Sequence, residues 1–107
     1  MFIQKKQPLK MYVLVRRDLN STYRFVQGGH ALAQYQFYGN AKLNEYWKNG
    51  ILVYLGVNDE TELKFWANKL KDKEKDFAWF NEPDLENQMT AISCIDQGKI
   101  FSKLKLA

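Results

Sequence analysis

The sequence predicts an α/β fold: a small mixed four-stranded sheet with helices on both faces, in the order β-α-α-β-α-β-β. Two observations lead to this prediction. Short apolar runs, typical of buried strands, alternate with longer segments whose apolar residues recur every three or four positions. The chain has 107 residues, of which 46% are hydrophobic. That length suffices for one modest core, so we expect a single domain over 1–107.

The first strand and the first helix are predicted from the stretch between Met11 and Tyr38. Residues 11–17 begin with an apolar run rich in β-branched and aromatic side chains, as in a strand covered on both faces. The polar residues at 20–22 offer three candidate helix N-caps. The helix that follows reaches about Tyr38, and Gly39 marks its end. Its apolar face is predicted at Val26, Gly29, Ala33 and Phe37.

The remaining elements follow in the same way. A short helix is predicted over 41–48 and a strand over 51–57, whose unbroken apolar character indicates a central position. Asp59 with Glu62 forms a capping box for an amphipathic third helix. Strands are predicted near 76–81 and 89–95, and the tail covers an edge or a face. The first two strands, joined through helices, should be parallel.

Composition limits the classes of function. The net charge of +4 is compatible with a phosphate-rich partner. The alternating charges of residues 69–75 are more typical of a solvated helix end than of a binding tract. No apolar run approaches the roughly 20 residues of a transmembrane helix, and the first residues lack the apolar core of a signal peptide. We therefore expect a cytoplasmic protein with no membrane partner.

The counts of cysteine and histidine bear on metals and redox chemistry. The chain has one cysteine, Cys94, inside an apolar strand pattern, which predicts a buried reduced thiol. One histidine and one cysteine make no plausible zinc site. We predict no cofactor and no metal.

Candidate functional residues cluster after the first strand. As the only histidine, His30 is the natural general base, or else it takes part in the packing of its helix. Asp18 and Arg16 lie on the same side of a strand of period two. They form either a structural ion pair or a pair that orients water and binds phosphate.

Polar residues also crowd the segment before the last strand. They are either turn and strand-edge residues or part of a substrate-binding wall next to the first turn, where their carboxylates would face Arg16 or Arg24. The candidates are Glu82, Asp84, Asn87, Gln88 and Thr90.

The first of these clusters carries a family resemblance. Val15-Arg16-x-Asp18-Leu19, a short polar loop and Gln27-x-x-His30-Ala31 together resemble the opening of the archaeal and eukaryotic type of peptidyl-tRNA hydrolase. The tail at 104–106, Leu-Lys-Leu, is similar to the Leu-x-Leu close of that family. The resemblance implies that Asp18, Gln27 and His30 are catalytic and that tRNA is the partner.

The sequence departs from the family in two places. The family has a Gly-Lys-rich loop with lysines at its active site, whereas this loop contains no lysine; Tyr23 stands at the helix-start lysine and Arg24 follows it. Arg24 is the best substitute, although a guanidinium cannot donate a proton at neutral pH. The family's Asp-Ala-Gly-x-Thr segment is replaced by residues 81–88.

Three functions follow from these observations. The first is hydrolysis of the ester in peptidyl-tRNA, with Asp18 or His30 orienting water, and with Gln27, the helix N-terminus and Arg24 facing the oxyanion. Arg16, Arg24, Glu82, Asp84, Asn87 and Thr90 are the candidate substrate-binding residues. The second is a catalytically inert relative that binds tRNA ends or another nucleotide-bearing ligand. The third is a domain that binds a protein partner. The sequence leaves a homodimer open.

Overall fold

The computed structural model describes residues 8–107. The helices are α1 (Ser21–Tyr38), α2 (Ala41–Trp47) and α3 (Glu60–Asp72), and the strands are β1 (Lys10–Arg16), β2 (Leu52–Val57), β3 (Ala78–Glu82), β4 (Gln88–Asp96) and β5 (Lys105–Leu106). Short 3₁₀ turns cover Pro83–Leu85 and Lys99–Phe101. Within the described residues no helix combines the length and the apolar character needed to cross a membrane.

The strands form one mixed sheet in the order β3-β4-β1-β2-β5. β1 and β2 are parallel, as predicted, with Met11 opposite Leu52 and Arg16 opposite Val57. β4 is antiparallel to β1 and to β3. Val15 pairs with Ala91, so the start of β4 lies beside the C-terminal end of β1.

The prediction of four strands is wrong, because the described chain has a fifth. β5 is antiparallel to β2, with Leu106 opposite Leu55, and the Ala107 amide donates to the Tyr54 carbonyl at 3.0 Å. A two-residue strand has no periodicity from which it can be recognised. The third strand also begins at Ala78 instead of 76 and runs to Glu82.

Helices cover both faces of the sheet. One core cluster joins the β1, β2 and β4 side chains Leu14, Leu55 and Ile92 to Leu63 and Trp66 of α3. The other joins Met11, Val13 and Val15 to Ala31 and Tyr35 of α1 and to Trp47 of α2. Cys94 is fully buried, and burial raises the pKa of its thiol to about 12.

The helix termini agree in part with the capping predictions. Of the three candidates at 20–22, Asn20 caps α1, its side chain accepting from the Tyr23 amide at 2.8 Å. Asp59 caps α3 and accepts from the Glu62 amide, while Glu62 accepts from the Asn58 amide. Each cap satisfies an amide that the helix itself leaves without a partner.

The face of α1 that packs on the sheet differs from the predicted one. The buried residues are Gln27, Gly28, Ala31 and Tyr35, whereas Val26 is 50% exposed and Phe37 is 81% exposed. A Cβ on Gly28 would collide with the Tyr54 ring, so the glycine lets the helix approach the sheet closely. Gln27 can be buried on this face because side chains on β3 and β4 form hydrogen bonds with both ends of its amide.

Candidate active site at the end of the first strand

Arg16 and Asp18 form the ion pair that their spacing allowed. The Arg16 Nε lies 3.0 Å from Asp18 Oδ1, and Nη2 lies 2.7 Å from Oδ2, a bidentate arrangement. The Arg16 side chain is 7% exposed and that of Asp18 is 40% exposed. The hydrogen bond from Arg16 holds the pKa of the Asp18 carboxyl below its usual value. Asp18 is therefore an ionised carboxylate with one side open to solvent.

The same guanidinium reaches β4. Arg16 Nη1 donates to Gln88 Oε1 at 3.0 Å and to the Met89 carbonyl at 3.1 Å. This contact confirms that the segment before the last strand lies next to the first turn. The carboxylates of that segment do not face Arg16 as expected, since the contacts from β4 are an amide and a carbonyl.

Gln27 is the centre of a second network. It is fully buried. Its Oε1 accepts from Thr90 Oγ1 at 2.6 Å, and its Nε2 donates to Glu82 Oε1 at 2.9 Å. The side chain thus ties α1 to β4 and β3 at once. Gln27 cannot touch a substrate in this arrangement, because both ends of its amide are engaged inside the protein.

Glu82 lies at the surface end of this network. Its pKa is lowered first by the hydrogen bond from Gln27 and then by the Asp84 amide, with a smaller contribution from the Tyr23 hydroxyl. Partial burial and the charge of Glu82 raise the pKa of Tyr23. Glu82 is consequently an ionised acceptor held between α1 and the β3–β4 turn.

His30 lies one turn beyond Gln27 on the exposed side of α1. Its ring stacks on the Phe80 ring of β3, with centroids 4.4 Å apart and planes at 13°. The sequence left open whether His30 packs in the fold or acts as a base. The structure shows a packed ring that also remains accessible.

Arg24 organises the loop between β1 and α1. Its Nη2 donates to the carbonyls of Arg17 and Leu19, both at 3.0 Å. Its Nε is buried and has no partner among the described residues. The guanidinium expected to replace the family's lysine therefore holds the loop and does not point freely at a ligand.

The β3–β4 turn shapes the remaining candidates. Asp84 is exposed in the 3₁₀ turn, and its amide donates to Glu82 Oε2 at 3.3 Å. Asn87 has a positive φ of 60°, and its amide donates to the Glu82 carbonyl at 2.9 Å. Asp84 and Asn87 thus contribute turn geometry, whereas Thr90 belongs to the buried network.

The two networks meet at one end of the sheet. Gln88, which binds Arg16, pairs with Glu82, which binds Gln27. The Asp18 carboxylate and the Gln27 amide are thereby connected through the β3–β4 hairpin. His30 lies apart: nine residues of helix separate it from Ser21, about 13 Å at 1.5 Å per residue.

Two members of the site are not predicted in their roles by the sequence. Glu60, at the start of α3, accepts from the Met89 amide at 2.8 Å, and its charge contributes to raising the pKa of Arg16. Gln88 is a predicted residue of the turn and wall, and its contact with Arg16 is new. The sequence does show acidic residues in the first turn of α3, which include Glu60. It does not show that α3 lies next to β4, because that contact forms only in the tertiary structure. Among residues 8–107 no group of three or more histidine, cysteine, aspartate and glutamate side chains is arranged to hold a metal.

Comparison with known proteins identifies no matching family model and no matching curated protein. The sequence resemblance and the geometry of this site are therefore the basis for assigning a function.

Proposed function

We propose that the protein hydrolyses the ester between a peptide and tRNA, the reaction of the peptidyl-tRNA hydrolases that its sequence resembles. One observation carries the proposal. Asp18 and Gln27, which belong to the block of resemblance, are both tied to the β3–β4 hairpin at the end of β1. Asp18 is held through Arg16 and Gln88, Gln27 is held through Glu82, and Gln88 lies opposite Glu82 in the strand pairing. Ligands of open α/β sheets bind at the carboxyl ends of strands.

The reacting ester belongs at the Asp18 end of this site. Asp18 is an ionised, half-open carboxylate that can orient a water molecule toward the ester carbonyl carbon. The oxyanion that forms would meet the amides of the first turn of α1, where the helix dipole favours negative charge. The bond to the ribose oxygen then breaks as a proton from the attacking water passes to that oxygen. The products are a ribose hydroxyl and a peptide acid, which releases its proton to solvent and becomes a carboxylate.

The other predicted site residues take supporting roles. Gln27 and Thr90 hold α1 against the hairpin, Arg16 orients Asp18, and Arg24 holds the loop. His30, about 13 Å from the helix start, stacks on Phe80 and offers its ring to a base or ribose of the tRNA end. The reaction places the protein where peptidyl-tRNA occurs, in the cytoplasm.

A second candidate function is binding of the tRNA end without turnover. The observation that favours it is the engagement of Arg24 by two loop carbonyls in a loop that has no lysine. The loop then offers no free lysine to the oxyanion, and turnover would depend on Asp18 and the first-turn amides of α1 alone.

Release of peptide from diacetyl-lysyl-tRNA tests the proposal. We expect turnover in the wild type. Asp18→Asn should lower kcat by about 100-fold, the usual scale for loss of an orienting carboxylate, when assayed at a temperature where circular dichroism shows the variant folded. His30→Gln should raise KM and leave kcat unchanged.

Val26→Ala, at an exposed position of the same helix, is the matched control and should change neither constant. Unchanged turnover in a folded Asp18→Asn variant contradicts the assignment of the site. A wild-type protein that binds the substrate and releases no peptide has the second function.

A further inference from the structure

A groove of about 630 Å³ lies at the end of the sheet opposite to Asp18. Its charged side chains come from the end of α3, the segment after it, the end of β4 and the tail: Lys69, Lys73, Lys75, Asp96, Lys99 and Lys103. Trp66 and Ile100 contribute apolar surface. The sequence predicted a solvated helix end for residues 69–75. Folding brings three lysines of that run together with two from the tail.

The side chains that line this groove carry an excess of positive charge. Five lysines and one aspartate give it a net charge of +4, which equals the formal net charge of the entire 107-residue chain. The rest of the chain is therefore neutral overall. Like charges brought together in this way destabilise the fold unless a bound anion compensates them.

Two of the five lysines are already engaged. Lys75 Nζ lies 2.8 Å from Asp96 Oδ1, and Lys69 Nζ lies 4.9 Å from the centroid of the Trp66 ring. Lys73, Lys99 and Lys103 are exposed, and within the described residues no ion pair involves them. Three cations thus remain available at the rim.

We propose that this groove binds the phosphate backbone of RNA. Lysines are flexible point charges that meet phosphates without reading bases, whereas the fixed fork of arginine suits bidentate recognition. The concave shape fits a strand better than a flat membrane surface. The identification of this RNA as tRNA rests on the proposed function.

The distance between the groove and the Asp18 cluster is compatible with a ligand as long as tRNA. Asp96 pairs with Lys10 at the start of β1, and Arg16 ends the same strand. Seven residues at about 3.3 Å each put the groove roughly 20 Å from the Asp18 cluster. An RNA whose terminal ester reaches Asp18 is long enough to span this distance and occupy the groove, and a mononucleotide is not.

Salt-dependent binding of a short RNA duplex without an ester tests the groove independently of turnover. Fluorescence anisotropy from about 50 to 200 mM salt gives the log–log slope for each variant. We compare Lys99→Gln/Lys103→Gln in the groove with Lys42→Gln/Lys48→Gln, two exposed lysines in and after α2, on the opposite side of the sheet. Both double variants lower the net charge by two.

The groove variant should lose affinity at least tenfold at low salt, and its slope should be about two units shallower. The control should stay within twofold of the wild type. Lys73→Gln alone should make the slope about one unit shallower, a result that holds even if the double variant unfolds.

Equal losses in both double variants, or no loss in either, overturn the inference. Binding of polyglutamate as tight as that of RNA at equal charge also overturns it, because the groove would then serve an acidic protein. If hydrolysis is absent and the groove variant still loses RNA, the groove stands and the proposed catalytic function fails. If hydrolysis is present and the groove variant binds RNA normally, the proposed catalytic function is retained and the groove inference fails.

Discussion

Gln27 Oε1 and Thr90 Oγ1 lie 2.6 Å apart in a buried hydrogen bond that joins residues 63 positions apart in the chain. Both side chains are fully buried. Because water cannot replace either partner, this bond fixes how α1 sits on β4 and therefore where the first turn of α1 stands relative to Asp18.

We predict that this pair is energetically coupled. Gln27→Leu and Thr90→Val should each lower the free energy of unfolding by about 1–3 kcal/mol, since each leaves a buried polar atom without its partner. The double variant should lose less than the sum, with a coupling energy of about 1 kcal/mol. Urea denaturation of the four proteins measures it. Gln34→Leu with Thr90→Val is the control cycle, in which additive losses are expected; additivity in the first cycle too would refute the coupling.

Asp18→Asn should lower the free energy of unfolding as well as kcat. Arg16 would keep its bonds to Gln88 and Met89 but lose a bidentate carboxylate. The half-exposed position of Asp18 limits the loss to about 1–2 kcal/mol. Chemical denaturation near neutral pH measures this difference. A purely catalytic Asp18 could be replaced with a nearly unchanged melting temperature, but the bidentate pairing with the buried Arg16 predicts a loss of stability.

The same pair should make stability depend on pH in acid. The folded pKa of Asp18 is lowered, so its contribution is present above the unfolded value of about 3.9 and disappears as pH falls through the folded pKa. The gap in stability between wild type and Asp18→Asn should therefore narrow below about pH 4. A gap that stays constant down to the acid transition would show that the carboxylate charge contributes nothing.

Two glycines offer a matched pair of alanine substitutions. Gly98 has a φ of 102°, and a Cβ there would collide with the Tyr12 hydroxyl. Gly98→Ala should lower the free energy of unfolding by about 2–4 kcal/mol. Gly29 is inside α1, where an added methyl group would meet nothing within 4 Å, so Gly29→Ala should raise it by about 0.5–1 kcal/mol. Thermal and urea unfolding of both variants measures these changes. A Gly98→Ala protein more stable than Gly29→Ala would contradict the prediction.

Local patterns were enough for most of the framework. The apolar run at 11–15, the capping pair Asp59 and Glu62 and the spacing of Leu63, Trp66 and Leu70 identified a strand and a helix because burial and capping act within a few residues. The parallel pairing of β1 and β2 followed from their connection through helices. The buried face of α1 could not be predicted in this way. A local pattern cannot show that Gln27 forms hydrogen bonds with Glu82 and Thr90, which lie 55 and 63 residues further along the chain.

The candidate site divides in the same way. The sequence by itself determined the α/β class, the pairing partners Arg16 and Asp18 and the segment that would lie beside them, since these depend on period and chain direction. Only the tertiary structure decided that Gln27 is buried, that Arg24 holds the loop, that His30 stacks on Phe80 and that five lysines share one groove. The environments of Gln27 and His30 and the lysine groove depend on contacts between elements distant in the chain, while Arg24 depends on the exact path of its own loop. Packing sets this geometry, and no local pattern encodes it.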